Sequence, residues 1–216
     1  MLLDCETTRS VLHMSTSDAS RRDFFRKSAL FTAGIAAAST VTAPGLARAA
    51  AWGGDKDWKH DAALLNVALN LEHQAIAAYQ VGAESKLLTP AILKVALAFQ
   101  KDHEAHAAVL VETIKKIGGK PVAPRAPLSL PMADLAKAWN FPVGKLKDQA
   151  DVLHFAAGLE IGAAKAYLGT VPEFGDRALA KAAANIEGDE TMHYAILRNA
   201  LGEFPVPAAF VSAMPD

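Results

Sequence analysis

The chain has 216 residues, 51% hydrophobic and 21% charged, with a formal net charge of −1. That balance is globular, with apolar material for one substantial core, and it excludes both a disordered chain and a strongly basic nucleic-acid-binding surface. The single cysteine, Cys5, excludes a disulfide framework.

The first 49 residues have the layout of an export signal. A basic segment, Ser20-Arg21-Arg22-Asp23-Phe24-Phe25-Arg26-Lys27, precedes a mild apolar run over residues 28–43. Pro44-Gly45 breaks that run, and Ala47-Arg48-Ala49 supplies a small-x-small cleavage site. The paired arginines ahead of Asp-Phe-Phe-Arg-Lys resemble a twin-arginine signal, which implies periplasmic or secreted protein exported already folded. The run is too short and too rich in Ala, Ser, Thr and Gly for a membrane anchor, so no stable insertion is expected after cleavage. Met14 is an alternative start, since residues 1–13 add nothing to the signal. Cleavage removes Cys5, six of the 22 basic residues and four of the 23 acidic ones. Any metal in the mature chain must then be held by oxygen and nitrogen.

After a linker at residues 50–57, the pattern is helical. Residues 58–85 are rich in Ala and Leu. Thr89-Pro90 reads as an N-cap followed by proline in the first turn, and the helix it opens runs to 117, where Gly118-Gly119 and Pro121 stop it. Residues 120–144 hold Pro121, Pro124, Pro127, Pro131 and Pro142, a long connection with one helical turn near 132–139. Residues 147–168 form the third long helix and 177–201 the fourth, closed by Gly202 and Pro205. No strand-like alternation is visible. Two helical hairpins joined by one long crossover predict an all-α antiparallel four-helix bundle over residues 58–205, with a tail at 206–216.

The hairpins repeat each other. Leu71-Glu72 through Tyr79 aligns with Leu159-Glu160 through Tyr167, an offset of 88, with Leu, Glu, Ala and Tyr coinciding. Asp102-His103-Glu104-Ala105-His106 aligns with Asp189-Glu190-Thr191-Met192-His193, an offset of 87, with the Asp and the last His coinciding. A pseudo-twofold bundle follows.

Residues three apart share a helix face, so Glu190 and His193 point the same way, as do His103 and His106. Glu72 and Glu160 lie in strongly apolar helices. A buried carboxylate is costly unless it is paired or bound to a cation. Six such groups converging at one depth are reconciled by two divalent ions, which neutralise the carboxylates and accept the imidazole nitrogens.

One Glu from each of two helices plus Glu-x-x-His from the other two resembles the ligand set of the ferritin-like di-iron and di-manganese bundles. The resemblance covers residues 58–202. It implies Glu72 and Glu160 as terminal ligands, Glu190 as a bridging ligand, and His106 and His193 as terminal nitrogens. His103 stands where a bridging Glu is expected, and Glu104, the nearest carboxylate, is turned about 100° further round the helix. The resemblance also implies Asp102 and Asp189 as acceptors for the outer nitrogens of the ligand histidines. Tyr79 and Tyr167, two turns beyond Glu72 and Glu160, are expected as core residues with satisfied hydroxyls, and Glu187 as an extra carboxylate in reach of the site. Among the other histidines, His73 and His154 are expected at the surface or the edge of the core, and His60 in water.

The expected cofactor is a pair of divalent ions, iron first, with manganese or zinc as alternatives. The expected function is metal oxidation, or reduction of dioxygen or peroxide. A non-catalytic metal-binding or stress-protective scaffold of the cell envelope is the competing expectation, and a purely structural bundle with internal Glu–His ion pairs the third. A monomer or small homo-oligomer is expected.

Overall fold

A computed structural model describes residues 57–216. The export signal expected at residues 1–49 and the linker residues 50–56 lie outside the described residues. The described residues are all-α and contain no strand. Four long helices, α1 (Trp58–Glu84), α2 (Pro90–Lys116), α4 (Gln149–Thr170) and α5 (Arg177–Ala200), are joined by a short α3 (Met132–Trp139). Single 3₁₀ turns occupy Val143–Lys145, Val171–Glu173 and Val211–Ala213. None of the described helices is long and apolar enough to cross a membrane.

Three of the long helices start where an aspartate takes up unpaired amides. Asp57 accepts from the Lys59 and His60 N–H groups, both at 3.1 Å. Asp148 accepts from Asp151 N–H at 3.0 Å, and Asp176 from Ala178 N–H at 2.7 Å. The Asp148 cap explains why α4 begins at Gln149, two residues after the start expected at 147. α2 opens instead on Pro90, behind an extended Thr89 that makes no side-chain cap bond. At its far end Gly118 has φ +87°. A Cβ on the next residue, Gly119, would stand 2.9 Å from Ala62 Cβ and Ile114 Cγ2, so only glycine lets the chain turn this close to α1.

α1 lies along α2, and α4 along α5. The crossover between these hairpins is packed, not loose. Leu135, Ala136 and Trp139 of α3 are buried with Ala77, Ala78 and Val81 of α1. The Arg125 guanidinium sits 5.0 Å above the Trp139 ring, a cation–π contact. A second clasp joins the hairpins at the other end of α1. Asp61 is fully buried, and its carboxylate accepts Gly175 N–H at 2.8 Å and Asp176 N–H at 3.2 Å. The turn before α5 is thereby tied to the first turn of α1.

Two further apolar clusters fill the interior. One gathers Leu69, Leu110, Ile114, Leu179 and Ile186 around Tyr167. The other gathers Phe99, Leu153, Ile161 and Leu197 around Tyr79 and Tyr194. Each fully buried aliphatic side chain contributes about 1.5–3 kcal/mol before conformational entropy is set against it. The tail closes the second cluster. Met214 is buried there, Tyr194 donates its hydroxyl to Pro215 O at 2.8 Å, and Lys165 reaches Asp216 at 2.5 Å. Between the clusters the helices turn polar side chains inward, and this layer is the candidate site.

Candidate metal centre

Each long helix contributes to the layer through its spacing. Leu69, Glu72 and Tyr79 recur at three and seven residues, so a helix that buries the leucine and the tyrosine buries the glutamate too. Ala157, Glu160, Ala164 and Tyr167 do the same on α4. On α2 His103 and His106 lie one turn apart, and on α5 Glu190 and His193 do. Glu72, His103, Glu160 and Glu190 are no more than 1% exposed, His193 is 2% exposed, and His106 borders the surface at 16%.

His103 holds the middle of the layer. Its Nδ1 lies 2.9 Å from Glu72 Oε2 and 3.6 Å from Glu190 Oε1, and its Nε2 lies 3.3 Å from Glu160 Oε1. His106 Nδ1 is 3.5 Å from Glu72 Oε2 and 3.4 Å from Glu190 Oε1. His193 Nδ1 is 3.6 Å from Glu160 Oε2. Two sets of four residues therefore have ligand atoms within 4.8 Å of one another: Glu72, His103, His106 and Glu190, and then His103, Glu160, Glu190 and His193. All six residues expected as metal-holding come together.

The supporting groups are arranged crosswise. Tyr79 of α1 donates its hydroxyl to Glu160 of α4, and Tyr167 of α4 donates to Glu72 of α1. Both tyrosines are core residues with satisfied hydroxyls, and the acceptors are the cluster's own carboxylates. The outer nitrogens of the histidines face aspartates on the opposite helix: His193 Nε2 lies 3.4 Å from Asp102 Oδ2, and His106 Nε2 lies 3.3 Å from Asp189 Oδ2. Asp189 also lies 3.6 Å from His193 Nε2 on its own helix. Aromatic faces hold the rings, with Phe99 stacked on His193 at 3.9 Å between centroids and Tyr79 on His103 at 5.4 Å.

Two of the carboxylates expected near the site stay outside it. Glu104 is exposed, because one step along α2 from His103 turns a side chain about 100° away. Glu187 joins neither set, and its carboxylate accepts from Thr191 Oγ1 at 3.2 Å. Its repeat partner Gln100 is buried and donates to Ile76 O and Gln80 Oε1. His60 and His154 are exposed. His73 is half-buried beside the layer, and its burial lowers its proton affinity against the pull of Glu72. Phe99 gave no separate signal in the sequence, because a phenylalanine four residues before His103 reads as ordinary core.

The electrostatics show how tightly the groups are coupled. Burial alone would raise Glu72 and Glu160, but the His103 ring, joined by His106 at Glu72 and by His193 at Glu160, holds both below the usual range. Glu190 is pushed up to about 9 by burial and by Glu160 beside it, against the pull of His106. Burial works against protonation of His103 and His106, yet their carboxylate partners hold them at about 11 and about 10. Burial and the neighbouring carboxylates raise both tyrosines far above their ordinary value, so their hydroxyls remain donors.

Even so, the layer is incomplete. Glu160 Oε2, both oxygens of Glu190, His106 Nδ1 and His193 Nδ1 are buried without a hydrogen-bond partner. The nearest approaches among them are at ion-pair distance, His106 Nδ1 to Glu190 Oε1 at 3.4 Å and His193 Nδ1 to Glu160 Oε2 at 3.6 Å. All five belong to the two four-residue sets and lie on their inner side. An oxygen and imidazole donor set with unsatisfied inner atoms fits divalent iron, manganese or zinc.

A helical bundle with a buried carboxylate–histidine layer contributed by all four long helices defines the class. The family follows from comparison. A model of the ferritin-like domain matches residues 60–203, and the chain belongs to that family. The crystal structure of a conserved hypothetical protein from Mycobacterium tuberculosis is similar to this chain, with a TM-score of 0.55 over 70% of this chain and 97% of that one. At 22% identity that likeness is one of fold. No protein of curated function matches the chain by sequence.

Proposed function

We propose that the chain is an exported ferritin-like protein that holds two metal ions between α1, α2, α4 and α5 and uses them to oxidise metal or to reduce dioxygen or peroxide. The observation that carries this reading is the set of five buried atoms that make no hydrogen bond and face one another, at 3.4 Å and beyond, inside a charged layer. When bound, iron or manganese would supply one-electron redox chemistry, and zinc would not.

The roles of the side chains follow from their partners. Tyr79 and Tyr167 each engage one carboxylate, which orients Glu160 and Glu72. Asp102 and Asp189 lie against Nε2 of His193 and His106, which turns each Nδ1 toward the inside of the layer. The apolar clusters on both sides keep bulk water from the layer. His106, Asp189 and Asp102 form its most exposed edge, between α2 and α5, and that edge is the entrance for ions and small oxidants.

The competing reading, a non-catalytic metal-binding scaffold, draws support from His103. An imidazole replaces an expected bridging carboxylate, which reduces the negative charge available to stabilise oxidised metal. Two measurements separate the readings. Elemental analysis of protein folded in the cytoplasm and gently purified should find stoichiometric iron or manganese. An oxygen electrode trace on adding ferrous iron should show uptake for an oxidase, whereas binding without uptake supports the scaffold. Export rests on the Arg21-Arg22 signal alone. Replacing both arginines by lysine should retain the protein in the cytoplasm of a host with twin-arginine translocation, and undiminished export would refute that part.

A further inference from the structure

We infer that His103 is a shared ligand, giving Nδ1 to one half of the centre and Nε2 to the other. This rests on the metal-binding reading and deepens it, since it says how the two halves are joined. Glu190 and His103 are the two residues common to both four-residue sets. They are also repeat equivalents, Glu190 on α5 standing 87 positions after His103 on α2. The pseudo-twofold relation therefore puts a joining residue on each of the two helices, a carboxylate from one and an imidazole from the other.

The ring is placed to serve both sides. Nδ1 faces Glu72 Oε2 at 2.9 Å, and Nε2 on the opposite edge faces Glu160 Oε1 at 3.3 Å. The half-sites become equivalent in composition, each with one private Glu, one private His, and a share of His103 and Glu190. The ring is buried, with Tyr79 on its face and the His106 and His193 rings at 6.0 and 5.3 Å, so it is held to one orientation. A ring that donates both nitrogens to cations keeps neither proton, and loading releases them to solvent.

Copper(II) serves as the probe, because an imidazole joining two copper ions couples their spins. The full chain, stripped of metal, is titrated with copper(II) and followed by paramagnetic resonance and elemental analysis. The expected result is two ions per chain, with most of the spin signal lost at low temperature relative to copper content. In His103→Gln, circular dichroism first establishes that the bundle is folded, and the signal of any copper bound should then recover to its full content. Two ions in the wild-type chain with a full, uncoupled signal overturn the inference. So does coupling that survives in His103→Gln, which assigns the bridge to Glu190. One ion per chain overturns the inference but leaves metal binding standing, whereas no bound copper, iron or manganese sinks both.

Discussion

At the scale of single residues, the six-residue layer is held by groups outside it. The hydroxyl of Tyr79 satisfies a carboxylate that is 1% exposed. Removing it in Tyr79→Phe leaves Glu160 with one fewer donor in a water-poor layer, and the folded state should lose about 1–3 kcal/mol by urea unfolding. Asp189 faces the outer nitrogen of His106 at 3.3 Å, and an acceptor there fixes the proton on Nε2. Asp189→Ala should weaken metal binding roughly 10–100-fold, measured by competition with a chelator, while helix content is unchanged. An unchanged affinity would mean that the aspartate is merely a solvated neighbour. The six inward residues were legible from spacing, because Glu and His three apart in an apolar helix put charge on one buried face, where only a partner or a cation offsets its cost. Their partners were less so. A tyrosine two turns from a glutamate on one helix gives no hint that it bonds the equivalent glutamate on another.

At the scale of elements, the four long helices and the crossover helix were legible from Ala- and Leu-rich runs and from Pro and Gly punctuation. What escaped was long-range. Asp61 reads as one more acid in a first turn, yet it is buried and accepts two backbone amides from residues 175 and 176. Asp61→Ala leaves those amides without an acceptor and frees the turn before α5. A loss of about 1–3 kcal/mol is expected, with a lower Tm, and the helix content at low temperature should stay the same. The tail at residues 206–216 escaped for a similar reason. Its short, proline-interrupted stretch carries no period, and only the finished bundle provides the pocket that Met214 fills and the Tyr194 hydroxyl that Pro215 accepts.

At the scale of the whole molecule, three buried carboxylates and the imidazoles of His103 and His106 set how stability varies with pH. In the unfolded chain His103 and His106 titrate near 6.5, and in the folded metal-free chain near 11 and 10. Their contribution is complete below pH 6.5 and is lost as pH rises through 10. Glu190 acts in the same sense, since its folded value of about 9 lies above 4.5 and stability drains as pH climbs between them. Glu72 and Glu160 act oppositely, being held below 4.5 and losing their contribution as pH falls through their lowered values. Thermal unfolding of the metal-free chain should therefore be latest near pH 4.5, fall gently up to about pH 6.5 and fall more steeply toward pH 10. Bound metal should remove most of the alkaline fall, and metal affinity should rise over the same window as cations displace these protons. A flat profile in the metal-free chain would mean that the layer is already neutral and uncoupled.

The most direct test of the central claim is the metal content of the intact chain, folded in the cytoplasm, beside Glu160→Ala and His193→Ala. Two iron or manganese ions per wild-type chain, lost in both variants, is the predicted result. Substoichiometric metal in the wild type, with both variants shifting stability identically whether or not metal is supplied, would reduce the layer to a set of internal ion pairs and contradict the account.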